Sequence, residues 1–354
     1  MNVEIRAARL EERPTICHLI DLAFDSESYG PSLARPCVSV GNSHLDPDDR
    51  PENTRVLLAD GQIVSVVHVL ERKAYACGGR VRFGFIAMVA THPDHRRRGY
   101  MRRAMRDAED CMQRLGLCYA VLMGSYRLYG ASLGWRLCSE RRATLNWKYM
   151  VPANIAADAG VGARPATEED IPFLARLYEA RYGKRFGPVV RSGQYWRRWS
   201  LQRPEEGTYM VALADGEPAG YFHIGGAHDD VDEIGWEQAR DRAAVRVLLA
   251  ASSCAGTRGM PTVSFWIDEA DEAGMAEFRR TFGEVPRTFV DPLGQPVEGC
   301  DPAPFLPENC PDATGLFVKF LGPGPGILRS VDSSDALTEA MARYSWVMFD
   351  EDIT

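Results

Sequence analysis

The chain lacks what several large classes of protein need. Among its 354 residues, nine cysteines stand at 17, 37, 77, 111, 118, 138, 254, 300 and 310, an odd number with no Cys-x-x-Cys pair. That spacing excludes a zinc finger or ribbon and offers no disulfide framework, so buried, reduced thiols and no metal are expected. No window reaches the ~18 apolar residues of a membrane-spanning helix. The first residues, MNVEIRAARLEERPT, contain no apolar signal-peptide core. A cytoplasmic protein with no membrane partner is the expectation. Positive charge is also in deficit, with 41 Lys and Arg against 49 Asp and Glu and a net charge of −8. A general nucleic-acid binder needs a broad basic surface to displace counterions, so nucleic acid is excluded as a partner.

What is present is an ordinary globular composition, 45% hydrophobic and 25% charged, in a chain long enough for two domains. The sequence also repeats itself. IRAARLEERPTICHLIDLAF (5–24) matches ARPATEEDIPFLARLYEARY (163–182), with Arg6 on Arg164, Glu11 on Glu169, Pro14 on Pro172 and Leu19 on Leu177. NTRVLLADGQIVSVVHV (53–69) matches GTYMVALADGEPAGYFHI (207–224), placing Asp60-Gly61 on Asp215-Gly216 and His68 on His223. An Asp-Gly step between apolar runs is a strong hairpin signal. Two further matches pair Gly116 with Gly259, and YGASLGW (129–135) with FRRTFGE (278–284). Four matches in the same order predict a duplicated domain.

Each copy reads as helix, hairpin, strand, helix, strand, helix, strand. Apolar residues at 16, 19, 20 and 23, and again at 101, 104, 105, 108, 112 and 115, form helical stripes. The expected fold is α/β (α+β): two mixed-sheet domains in tandem with a C-terminal extension. The expected boundaries are 1–150 for the first domain, 151–162 for a linker, 163–290 for the second domain, and 291–354 for a loop and helix extension. A serine N-cap opens the last helix.

The densest run of positive charge is in VATHPDHRRRGYMRRAM (89–105), where an apolar strand gives way to a helix. Free N–H groups and the positive end of the dipole lie at a helix start. Gly99 lets a ligand approach the backbone, and guanidinium groups add forked donors. The turn therefore suits a pyrophosphate or similar anion. It has neither the GxxxxGK[ST] nor the GxGxxG pattern. A solvated basic helix start is the plainer alternative.

Arg96-x-x-Gly99-x-Met101, after an apolar strand and THPDH, resembles the phosphate-binding motif of the GNAT N-acetyltransferase superfamily, although Met101 stands where a small residue is usual. The hairpin LLADGQIVSVVHV resembles that family's second and third strands, and LYGASLGW its tyrosine motif. The two fused copies with an extension resemble the tandem architecture of Eis-like aminoglycoside acetyltransferases. The resemblance implies acetyl-CoA, or another acyl-CoA, as co-substrate. Val89, Ala90 and Thr91 would lie beside the pantetheine arm and acetyl group. Arg96, Arg97, Arg98, Gly99, Tyr100, Met101 and Arg102 would lie around the phosphates.

It further implies acyl transfer from the thioester to a primary amine of a small molecule or aminoglycoside-like compound, by direct attack. Tyr129 is the expected general acid toward the sulfur, with Tyr126 as the alternative because Tyr129 stands five residues before Gly134, one more than the family pattern. The Thr354 carboxylate is a candidate base. Asp25 and Glu27, with Asp46, Asp48 and Asp49, would form an acidic acceptor cleft, or Asp25 and Glu27 simply cap the first helix. Tyr195 and Trp196 could line that cleft or belong to an interdomain helix. Gly99 falls on Arg242 and Tyr129 on Phe278 in the second copy, which predicts that only the first copy is catalytic. Homo-oligomer formation fits the Eis-like likeness. Two other readings stand beside this one: a non-catalytic acyl-CoA sensor or scaffold, and a peptide N-terminal acetyltransferase.

Overall fold

Two mixed β-sheets organise the chain. The computed structural model describes residues 2–24, 45–137, 146–153, 160–203, 207–225, 230–238, 242–266, 272–285, 287–290 and 314–343. The first unit comprises Met1–Ser139, Arg185–Val190 and Leu306–Thr354, and the second Glu140–Lys184 and Arg191–Phe305.

The first unit opens with β1 (Val3–Ala7) and α1 (Arg13–Ala23), followed by β2 (Arg55–Ala59), β3 (Gln62–Ala76) and β4 (Gly79–Thr91). Then come α2 (Tyr100–Arg114), β5 (Tyr119–Ser125), α3 (Tyr126–Leu133) and β6 (Arg136–Leu137). α1 buries Ile16, Leu19, Ile20 and Ala23, the predicted stripe, against Val56, Val66 and Ala90 on one face of the sheet. α2 buries Ala104, Met105, Ala108 and Met112 against Leu57, Val67, Ile86 and Leu122 on the other. β3 is far longer than β2, and its exposed edge near Ala74 and Ala76 is covered by β9 (Phe186–Val189).

The second unit repeats the plan. It contains β7 (Asn146–Pro152), β8 (Val161–Pro165), α4 (Ile171–Tyr182), β10 (Thr208–Ala214), β11 (Glu217–Gly225) and β12 (Asp230–Trp236). α5 (Ala243–Thr257), β13 (Thr262–Trp266), α6 (Glu272–Phe282) and β14 (Arg287–Val290) follow. The duplication read from the sequence reappears residue by residue. Asp60 and Gly61 take φ of 49 and 84, and Asp215 and Gly216 take 55 and 85, the left-handed pairs of tight hairpins. The Arg6 guanidinium grips the Glu12 carboxylate through two bonds of 2.8 and 2.6 Å, and Arg164 grips Asp170 through two of 2.6 and 2.7 Å. His68 and His223 each stand at a register shift in the sheet.

The ends of the copies differ from the expected boundaries. The first sheet runs β1-β2-β3-β4-β5-β15-β6, where β15 (Thr314–Phe320) comes from the C-terminal extension. The second runs β14-β7-β13-β12-β11-β10-β8. The strand that follows the first copy thus enters the second sheet, and the strand that follows the second copy enters the first. β7 ends at Pro152 and β8 begins at Val161, so the expected linker of 151–162 starts and finishes inside strands. Tyr149 and Val151, alternate residues of β7, are buried in the second unit's core, which draws the strand there. The extension, expected as loop and helix, supplies a strand as well as α7 (Ser334–Arg343). The Ser333 hydroxyl accepts the Ala336 N–H at α7's start, as the serine cap predicts.

Candidate functional site

β4 is paired with β3 along its whole length, with a bulge at Ala87 between the His68–Met88 and Val69–Ile86 pairs. Its parallel pairing with β5 stops much earlier. Only Phe83–Ile86 face Tyr119–Leu122. Beyond Ile86, β4 continues to Thr91 and β5 to Ser125 without pairing to each other, so a gap opens between them. Alternate backbone groups of an antiparallel strand point away from its partner. The stretch from Ala87 to Thr91 thus offers N–H and C=O groups to that gap, and Val89, Ala90 and Thr91 lie along it. The Thr91 and Ser65 hydroxyls are 2.8 Å apart, and Ser65 also donates to the Ala90 carbonyl at 3.0 Å.

After Thr91 the His92 N–H donates to the Val64 carbonyl at 2.9 Å, and a single tight turn covers Pro93–His95. Arg97 and Gly99 both take left-handed conformations, φ 62 and 75. Left-handed residues in a turn bring successive N–H groups toward one side and make an anion-binding concavity. The first bond of α2 runs from the Arg103 N–H to the Gly99 carbonyl, 3.2 Å, so the amides of Met101 and Arg102 precede the helical ladder. A Cβ on Gly99 would meet no protein atom within 4 Å, so the space above it is open.

The arginines divide their work. Arg97, Arg98, Arg102, Arg103 and Arg106 are exposed around the helix start. Arg98 donates to the Asp94 carbonyl at 3.2 Å and Arg102 to the Ser132 hydroxyl at 3.3 Å. Arg96 turns its guanidinium to the Ala23 carbonyl, 2.8 Å, and the Thr91 carbonyl, 3.4 Å. It thereby fastens the turn to the C-terminal end of α1, where a cation is favourable. The Tyr100 and Met101 side chains pack toward the α2 core, which leaves their backbone to face outward.

Tyr129 lies on α3, 8% exposed, with its ring over Gly124 of β5. Tyr126 opens α3, and its side chain lies outside the described residues, as do Asp25, Glu27 and Thr354. Of the expected acidic cleft, Asp46, Asp48 and Asp49 lie within the described residues. Asp46 is paired with Arg72 at 2.6 Å and Asp49 with Arg13 at 3.1 Å, so these carboxylates are neutralised. Burial pushes the Asp48 carboxyl up. Tyr195 and Trp196, expected to line an acceptor cleft, are wholly buried. Trp196 packs edge-on against Tyr178 and Tyr209, so neither ring has surface to offer a substrate.

His68 of β3 is buried, with Nδ1 2.8 Å from the Thr54 hydroxyl. Burial, with Arg72 and Arg13 nearby, lowers it to about 3, so it is neutral near pH 7. Sequence reasoning missed one group beside the candidate acid: Phe317 of β15, with its ring centroid 6.3 Å from that of Tyr129. The signal was present as the apolar run GLFVKF, but its partner strand lies almost two hundred residues earlier in the chain.

The second unit has a gap too, since β12 and β13 share only the Val231–Phe265 pair. There Arg242 precedes α5, and Trp236 stands at the strand position that Thr91 holds in the first unit. Ala239, opposite Arg96, lies outside the described residues.

Residues 4–138 match the family model described as acetyltransferase (GNAT) domain. The chain is similar in fold to a GCN5-related N-acetyltransferase from Kribbella flavida, with TM-score 0.60 and 13% identity over 90% of this chain and 71% of that one. It is similar to a probable N-acyltransferase from Enterococcus faecalis, with TM-score 0.61 and 12% identity over 91% and 73% of the two chains. It is also similar to Eis1 from Mycobacterium abscessus, with TM-score 0.53 and 14% identity over 90% and 74%. No curated protein matches.

Proposed function

We propose, from the match of residues 4–138 to the acetyltransferase (GNAT) domain model and from the tandem fold, that the protein is an acyl-CoA-dependent N-acetyltransferase acting on a primary amine of a small molecule. The observation that carries the reading is the meeting of two features in the first unit. The gap between β4 and β5 opens beside the left-handed turn at Arg97–Gly99. An extended amide-rich arm suits the unpaired edge of β4, and a diphosphate suits the amides and arginines at the helix start.

The neutral amine attacks the thioester carbonyl carbon, the carbon–sulfur bond breaks, and the proton released from nitrogen balances the proton that the thiolate takes up. A backbone N–H near Val89 to Thr91 stabilises the oxyanion; those of Val89 and Thr91 alternate with the His92 N–H that bonds to Val64 and so face away from β3. The Tyr129 hydroxyl supplies the proton to sulfur. Carrying negative charge on preset N–H groups is the largest lever such a site has, since their dipoles need no reorganisation during the reaction. The second unit is the degenerate copy: Arg242 fills the glycine position and Phe278 has no proton to give.

The test is acetyl-CoA binding by calorimetry together with thiol release against a panel of small amines. The reading predicts binding at one site per chain and turnover of at least one amine. No affinity for acetyl-CoA, or affinity retained after the Arg97–Met101 turn is replaced, would end it. Binding without turnover of any amine would favour a sensor.

A further inference from the structure

The family match ends before the strand that completes this site. β15 pairs with every residue of β5 from Tyr119 to Ser125, whereas β4 pairs only with Tyr119–Leu122. Met123, Gly124 and Ser125 border the gap, and in the sheet β15 is what holds them in register. Gly124 faces Gly315 across that pair of strands. The Tyr129 ring occupies the space this leaves, because a Cβ on Gly124 would collide with Tyr129 Cε2. Two residues along β15, the wholly buried Phe317 sets its ring at 44° to that of Tyr129.

The strand is also pinned from its far end. Lys319 Nζ donates to Glu109 Oε2 at 2.7 Å and to the Leu133 carbonyl at 2.9 Å. The Trp135 indole donates to Glu109 Oε1 at 2.8 Å. Glu109 lies on α2, the helix that begins at the anion turn, and Leu133 ends α3, the helix that carries Tyr129. One short strand thus touches both helices of the site and the edge of the gap.

We propose that the C-terminal strand β15 is a working part of the first unit's transfer site, with Phe317 as the positioning residue that sets the Tyr129 ring against β5. This rests on the acyl-transfer reading. The second unit carries the same aromatic pair in mirror roles. Leu122 and Phe265 hold equivalent register positions, so Phe317 corresponds to Tyr149, which packs 5.2 Å from Phe278. Both sheets therefore keep a ring on the inserted strand against a ring on the following helix. Only in the first does the hydroxyl stand on the helix.

The experiment is a double-variant cycle in the full chain, reading kcat and KM for acetyl-CoA. Phe317→Ala is expected to lower kcat about tenfold through misplacement of the tyrosine, with KM changed less than about twofold. In the Tyr129→Phe background the same substitution should cost nothing further, since a residue acting through Tyr129 has nothing left to position. Phe265→Leu, in the other unit's core, should lower the melting temperature and leave kcat intact. If Phe317→Ala does not fold, Phe317→Leu runs the same cycle.

An unchanged kcat, or losses that multiply across the two positions, overturns the proposal while the enzyme itself remains active. Wild-type protein that transfers no acetyl group to any amine overturns the acyl-transfer reading first, before any variant is made.

Discussion

Helix α2 of the first unit and helix α5 of the second are each 15 residues long, and each begins behind a left-handed residue, Gly99 at φ 75 and Arg242 at φ 55. Each ends two residues before a left-handed glycine, Gly116 or Gly259. At its helix start the second copy takes the left-handed backbone that Gly99 takes in the first, with an arginine in place of the glycine. Around it the replacements point the same way. Trp236 takes the strand position of Thr91, packs toward Ala243 at the start of α5, and has the Arg181 guanidinium 3.9 Å from its ring centre. The left-handed helix start is common to both units, and the side chains around it are what differ.

The largest effect is expected from making the first turn like the second. Gly99→Arg should fold, because Arg242 shows an arginine holding this conformation, at a cost of about 1–2 kcal/mol for the left-handed backbone. Its side chain would fill the space now open above the turn. Losing one or two charge-assisted amide bonds to phosphate, each worth about 1.5–3 kcal/mol, should weaken acetyl-CoA binding about 100-fold. The added positive charge works against that loss, so a clear weakening would identify the backbone rather than net charge as the grip. Calorimetry decides it, and unchanged affinity would remove the distinction between the two turns. The reverse change, Arg242→Gly, should create no second site, because Trp236 remains.

The next comparison exchanges the hydroxyl. Tyr129→Phe reproduces the second unit's helix position and should lower kcat about 100-fold, the lower range for loss of a general acid. Adding Phe317→Tyr reproduces the whole Phe278–Tyr149 arrangement. It should restore packing and melting temperature without restoring the rate. Recovery of the rate in the double variant would mean that the hydroxyl's placement does not separate the two units.

How much of this was legible in the sequence follows from range and from conformation. The turns were legible because Asp60-Gly61, Gly116 and Gly134 must take left-handed backbone, and few residues do so cheaply. The α1 and α2 stripes were legible because burial on one helix face repeats every 3–4 residues. β1 was missed: Val3–Ala7 is short, only partly buried, and owes its existence to pairing with β2. The exchange of β7 and β15 was not legible, because an apolar strand does not state which of two similar sheets will take it. The same limit hid Phe317. The alternation of aromatic and basic residues around Tyr195 and Trp196 suits a cleft wall or an interdomain helix alike. In the structure Arg191 instead pairs with Glu233 at 2.7 Å and lies over the Trp196 ring, making that segment part of the core.

The smallest effect concerns the clamp that both units share. The Arg6 guanidinium beside Glu12 holds that carboxyl down at about 2, and Arg164 does the same for Asp170. A carboxylate whose folded value lies below its unfolded value contributes stability above the unfolded value and loses it as pH falls toward the folded one. The melting temperature should therefore decline between about pH 4.5 and pH 2. Both carboxylates remain partly accessible, so solvent screening keeps each contribution modest. Glu12→Gln should flatten part of that decline, Asp170→Asn a similar part, and the pair together their sum, because the clamps lie in separate units and share no partner. A decline of unchanged steepness in the double variant would assign acid sensitivity to other carboxylates. Unequal single effects would show that two clamps alike in geometry differ in what they contribute to stability.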